Sequence, residues 1–102
     1  MNLQDVVAVP RSVMARRVGE EVIVLDLLGG EYFGLPGVGA RVWELLLDGK
    51  SLVAVAAAIT SEYDVDSTSA EDDVLRLVTE LCDKGLLVVV PRLAGGAPPA
   101  AR

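Results

Sequence analysis

Two hydrophobic periods follow one another along the chain. From Val13 to Leu35 the apolar residues come in short runs, "VMARR" (13–17), "EVIVLDL" (21–27) and "EYFGL" (31–35), parted by "VGE" (18–20) and by Gly29-Gly30. Short runs bounded by glycine predict strands, and a Gly-Gly pair supplies the positive φ angles of a tight hairpin. The expectation is a three-stranded antiparallel meander. In its second strand Ile23, Leu25 and Leu27 point one way, and Val22, Val24 and Asp26 point the other. The first set carries no charge and is assigned to the core. In the third strand Phe33 and Leu35 are assigned inward and Tyr32 outward.

From Pro36 onward the period is helical. Pro36 suits a first helical position, and Val38, Val42, Leu45 and Leu46 recur at i, i+4, i+7 and i+8. Trp43 flanks that stripe and is expected to cover the edge of the core. Asp48-Gly49 gives a glycine stop. Ser51 caps a second helix with Leu52, Val55, Ala56 and Ile59 inside, and "SEYDVDSTS" (61–69) reads as a loop. The third helix opens on a capping box, Thr68 with Glu71 or Ser69 with Asp72. Glu71, Asp72 and Asp73 then fall in its first turn, where the helix dipole favours acids. Val74, Leu75, Leu77, Val78, Leu81 and Cys82 form a broad apolar arc. Lys84-Gly85 closes the helix, and "LLVVV" (86–90) predicts one more short strand. The fold class is therefore α+β: a three-stranded antiparallel sheet followed by three helices, in winged helix-turn-helix-like order, over residues 13–90. Residues 1–12 read as an extended lead-in, and the Pro/Gly-rich residues 91–102 as a disordered tail.

Charge and chemistry narrow the function. The chain has 9 basic and 15 acidic residues and a formal charge of −6. That opposes binding to a nucleic-acid polyanion and suits a partner with lysines or arginines. No apolar run approaches a membrane span, and the N-terminus lacks a basic stretch followed by a long apolar one. Cytoplasmic residence without a membrane partner is expected. There is no histidine, and Cys82 is the only cysteine, which removes the commonest general base and any internal disulfide.

Three apparent motifs dissolve on inspection. "GVGARV" (37–42) follows a strand and opens a helix, as a dinucleotide fingerprint does, but Val42 stands at the third glycine position and no second parallel strand follows. "DVDSTSAEDD" (64–73) begins like a calcium loop through Asp64, Asp66 and Thr68. Its sixth position is Ser69 and its twelfth is Leu75, which supplies no carboxylate. Cys82 lies on the apolar arc with no base to activate it. No catalytic residue, metal or cofactor is expected.

The segments "LDLLGGEYFGLPGVGARVWELLLDGKS", "VAAAITSEYDVD" and "DDVLRLVTELCDKGLLVV" resemble the PqqD-like family, the recognition elements (RREs) for ribosomally made, post-translationally modified peptides. The likeness runs from about Val13 to Val90 and is spread over "YFGL", a Gly-Ala-Arg helix start, "WELL", "DG" and a Leu-rich helix ending "GLL". It implies a non-catalytic protein that holds a precursor's leader segment as an added strand and presents it to a processing enzyme. The size resembles the stand-alone proteins of lasso-peptide pathways, which work with a leader peptidase. The alternatives are a carrier for a radical enzyme in pyrroloquinoline quinone-type biosynthesis and a winged-helix DNA-binding regulator. The resemblance puts the leader on the edge of "EYFGL", beside the third helix. Glu31, Tyr32, Phe33, Gly34 and Leu35 would give backbone pairing. Tyr32, Val74, Leu77 and Leu81 would line pockets, with Asp73 and Arg76 as a polar rim. The opposite flank of the helix, Leu75, Thr79 and Cys82, is the rival candidate.

Overall fold

The structure, a computed structural model, describes residues 1–90. The tail read as disordered lies outside them. The elements are β1 (Val7–Ala8), β2 (Val13–Val18), β3 (Glu21–Asp26), β4 (Glu31–Pro36), α1 (Val38–Leu47), α2 (Leu52–Tyr63), α3 (Ser67–Asp83) and β5 (Val88–Val89). The order is that of an α+β, winged helix-turn-helix-like protein: an antiparallel sheet β2-β3-β4, then three helices. A second small sheet joins β1 to β5, antiparallel, with Val7 opposite Val89.

The core face of β3 is the reverse of the expected one. Val22 and Val24 are buried, whereas Ile23 is half-buried and Leu25 and Leu27 are exposed. Asp26 explains the reversal. It ends the strand, and its Oδ1 accepts hydrogen bonds from the N–H groups of Leu28 and Gly29, both at 3.1 Å. The carboxylate serves the turn, so its face is free to be the core face. Phe33 and Leu35 lie opposite Val24 and Val22 on that face, and Tyr32 lies on the other, as the alternation in β4 led one to expect.

Three other expectations change in detail. Pro36 is the last residue of β4, not the first of α1. The chain turns into the helix at Gly37, whose φ of +56° favours glycine and whose N–H donates to the Glu20 carbonyl at 3.3 Å. Trp43 does not cover an edge: it is wholly buried between the sheet and the helices. The loop 61–69 contracts to residues 64–66, because α2 runs through Tyr63 and α3 begins at Ser67. Asp66 is the N-cap of α3, its Oδ2 accepting from the Ser69 N–H at 3.1 Å. Glu71, Asp72 and Asp73 therefore lie beyond the first turn. Backbone and hydroxyl hydrogen bonds from Ser69 hold the Asp66 carboxyl below its usual pKa.

Ser51 caps α2 as expected, its Oγ accepting from Ala54 N–H at 3.3 Å, and Leu52, Val55, Ala56 and Ile59 are buried. The lead-in completes that cap. The N–H groups of Leu52 and Val53 donate to the carbonyls of Asp5 (2.9 Å) and Leu3 (2.7 Å). These are helix-start donors that otherwise have no intrahelical partner. Core residues from the sheet and all three helices, with Leu86 and Leu87, form one cluster.

Candidate functional site

The sheet leaves β4 with a neighbour on one side only. The bond from Gly37 to Glu20 lies one step beyond the Glu21–Pro36 pair and sets the alternation of the ladder. Leu35 and Phe33 thus exchange hydrogen bonds with Val22 and Val24. Tyr32 and Gly34 turn their N–H and C=O groups outward, to the free edge. That edge is an open template for one more strand.

A groove adjoins it. The start of α1, the end of α2 and one flank of α3 enclose about 360 Å³, with Val38, Gly39, Val42, Tyr63, Val74 and Leu77 among the lining. Asp73 and Arg76, ion-paired at 3.2 Å, and Glu80 also border it. Gly39 sits between Leu35 of β4 and Leu77 of α3: a Cβ on it would lie in ordinary contact with both, 3.7 Å from Leu35 Cβ and 4.0 Å from Leu77 Cδ2. At the other end of β4 the Lys84 ammonium stands 5.2 Å from the centre of the Phe33 ring, a cation–π contact. α3 therefore passes β4 in the opposite direction, with Leu77 and Leu35 on either side of Gly39 and Lys84 over Phe33.

The residues proposed from sequence fall into three places. Glu31, Tyr32 and Gly34 are exposed on β4, Phe33 is half-buried and Leu35 is buried. Asp73, Val74, Arg76 and Leu77 come together on the cavity. Leu81 is buried in the core and is not part of the cavity lining. The opposite flank of α3 faces the lead-in, with Thr79 Oγ1 4.0 Å from Met1 Sδ. Val38, Tyr63 and Val65 line the cavity and were missed in the sequence. The signal was there for Tyr63 and Val65: two large apolar residues in a stretch otherwise polar enough to pass for a solvated loop.

The outer face of the sheet is apolar as well. Met14, Arg16 and Val18 of β2 stand beside Ile23 and Leu25 of β3, and Tyr32 of β4 lies opposite Leu25. An open hollow of about 450 Å³ lies over this face. Arg16 makes no ion pair among the described residues, whereas Arg17 binds Glu44 at 2.7 Å and Arg41 binds Glu62 at 2.8 Å. These two pairs tie α1 to β2 and to α2. The hydrogen bonds that Arg41 donates to Glu62 raise the Arg41 pKa and lower that of Glu62.

Reactive chemistry is sparse. Burial pushes the Cys82 thiol pKa up, away from the nucleophilic thiolate. Among the described residues no cluster of three His, Cys, Asp or Glu is placed to hold a metal, and no helix is long and apolar enough to cross a membrane. The geometry is suited to holding an extended chain: hydrogen-bonding groups along an edge, an apolar hollow beside it and a charged border.

Comparison with known proteins bears on this arrangement. No curated protein matches the chain. Among solved structures, TbiB1 in complex with the TbiA(beta) leader peptide is similar, with a TM-score of 0.75 and 38% identity over 78% of this chain and 92% of that one. A lasso peptide synthetase B1 complexed with the leader peptide is also similar, with a TM-score of 0.76 and 34% identity over 80% of this chain and 96% of that one. The family model for coenzyme PQQ synthesis protein D (PqqD) matches residues 21–87, which take in β3, β4 and all three helices, and the chain belongs to the PqqD family.

Proposed function

We propose that this protein binds the leader segment of a ribosomally synthesised precursor peptide as a fourth strand on β4, in the cytoplasm. It does no chemistry itself and presents the peptide to a processing enzyme such as a lasso-peptide leader peptidase. The observation that carries the reading is the free edge of β4, with an apolar groove beginning past its end, where Gly39 lies against Leu35. The edge supplies main-chain hydrogen bonds that any sequence can accept, and the groove supplies the selection. The two similar solved structures each contain a leader peptide, which supports the same use of the same fold here.

The processing enzyme has a surface of its own in this reading. A guest strand on β4 widens the outer sheet face beyond Tyr32, so bound leader and protein offer one continuous surface with an apolar centre. Exposed apolar faces of this kind mark protein contacts. The unpaired Arg16 in its midst selects a partner with a carboxylate among apolar residues.

The test is titration of the isotope-labelled protein with the cognate leader. Backbone amide shifts are expected in residues 31–35 and 72–82, and also at Val38, Tyr63 and Val65. Gly34→Pro removes an edge-facing donor and is expected to weaken binding at least tenfold while leaving the circular dichroism spectrum unchanged. Leader binding that spares both segments sinks the model.

A further inference from the structure

Gly34 has a substitute side chain. A Cβ built on it would lie 2.9 Å from Oε1 of Glu21 and 3.8 Å from Cδ1 of Ile23. Glu21 faces Pro36 across the β3–β4 ladder, so its side chain leans diagonally along the outer face to reach position 34. It leans away from Arg16, the cation beside Ile23 on the other neighbouring strand, and the two make no ion pair. The carboxylate thus lies over the backbone of the edge strand, at the residue whose N–H and C=O face outward.

We infer that Glu21 reads the charge of the bound peptide, selecting a lysine or arginine at the guest position opposite Gly34. This rests on the edge-pairing reading above. Side chains directly opposite one another in an antiparallel pair have Cβ atoms about 4.5–5.5 Å apart. The Glu21 carboxylate is therefore within about 8 Å of the guest Cβ, a span that a lysine or arginine covers with one charge-assisted hydrogen bond. Glycine at position 34 is what makes the arrangement possible. Any larger residue there meets the guest side chain itself and pushes the carboxylate aside. Tyr32, two residues back on the same face, then flanks the guest's next outward side chain and keeps the pair partly dry. The groove selects inward-facing apolar residues, and Glu21 selects one outward-facing cation, so the two together fix the register of the guest strand.

The test is calorimetric titration of the wild type, Glu21→Gln, Glu21→Lys and Gly34→Ala with the synthetic leader of the cognate precursor. Each is repeated with leaders in which one Lys or Arg at a time is replaced by Glu. Glu21→Gln is expected to weaken binding about two- to fivefold at low salt, as for an exposed ion pair, and the loss fades at high salt. Glu21→Lys weakens it further, and exchange of a single leader cation for Glu restores affinity. Gly34→Ala displaces only the mobile end of Glu21, so it keeps the fold and reproduces the Glu21→Gln loss. Unchanged affinity in Glu21→Lys overturns the inference, as does a loss that no leader position rescues. A wild type that binds no leader at all refutes the edge-pairing reading instead.

Discussion

Val24 and Leu25 are neighbours in β3 and have opposite fates. Val24 is wholly enclosed, and Leu25 is 36% exposed. Removing two methyl groups from a close-packed site costs their transfer energy plus a cavity term. Val24→Ala is expected to cost about 2–3 kcal/mol in urea denaturation and Leu25→Ala less than about 1 kcal/mol. A larger loss at Leu25 than at Val24 would return the core to the face expected from the sequence. That first assignment rested on one charge, Asp26, and the structure shows why such a charge misleads at a strand end: it caps a turn. The cap of α3 misled for a related reason. Asp66, Thr68 and Ser69 are all good capping residues within four positions, and local preference does not choose among them. Because the folded Asp66 carboxyl has a lowered pKa, its contribution is complete above the unfolded value and is lost as pH falls through the folded one. Asp66→Asn is expected to flatten the acid limb of the melting-temperature profile below about pH 4, leaving the neutral limb parallel to the wild type's.

Among the elements, the lead-in does more than its sequence suggests. Its polar opening and Pro10 give no sign of a strand, yet residues 7–8 pair with β5, Val7 is buried, and two carbonyls finish the start of α2. Deleting residues 1–9 exposes those donors and one side of β5. The expected cost is about 2–4 kcal/mol, from lost hydrogen bonds and lost apolar burial, read as a shift of the denaturation midpoint. Leader affinity below the melting transition should be kept, because the groove lies on the other flank of α3. A deletion that left stability unchanged would mean the carbonyls contribute nothing. The order of the main elements was legible because each has a clear period and a clear stop: two glycine turns, then Asp48-Gly49 and Lys84-Gly85. The contact of the lead-in with α2 was not legible, since it joins backbone groups far apart in sequence and depends on no side-chain pattern. The choice of groove flank was hidden for the same reason, because Met1 beside Thr79 is a tertiary fact.

At the scale of the whole molecule, the proposed reading gives one sheet two surfaces. α1, α2 and α3 shape the groove, the edge of β4 is the proposed seat of the guest, and the centre of the outer face stays apolar although no other part of the described chain covers it. A solvent-facing side of an antiparallel sheet ordinarily alternates toward polar residues, and Met14, Val18, Ile23, Leu25 and Tyr32 depart from that. If the departure serves a processing enzyme, charge placed there must separate two activities that edge mutations would abolish together. Leu25→Asp puts a carboxylate at the centre of the outer face, beside Tyr32 in register and away from the groove. Leader affinity is expected to stay within about twofold of the wild type, since an outer-face substitution leaves edge and groove intact. Leader removal by the purified leader peptidase of the same pathway should fall at least tenfold at subsaturating enzyme, because the new carboxylate puts charge into an apolar contact and competes with the enzyme for the diagonal Arg16. Sedimentation provides the control. If the wild type is a dimer that Leu25→Asp dissociates, the face is occupied by a second copy and the docking assignment fails. If peptide binding and processing fall together, the outer face acts through the edge and has no separate role.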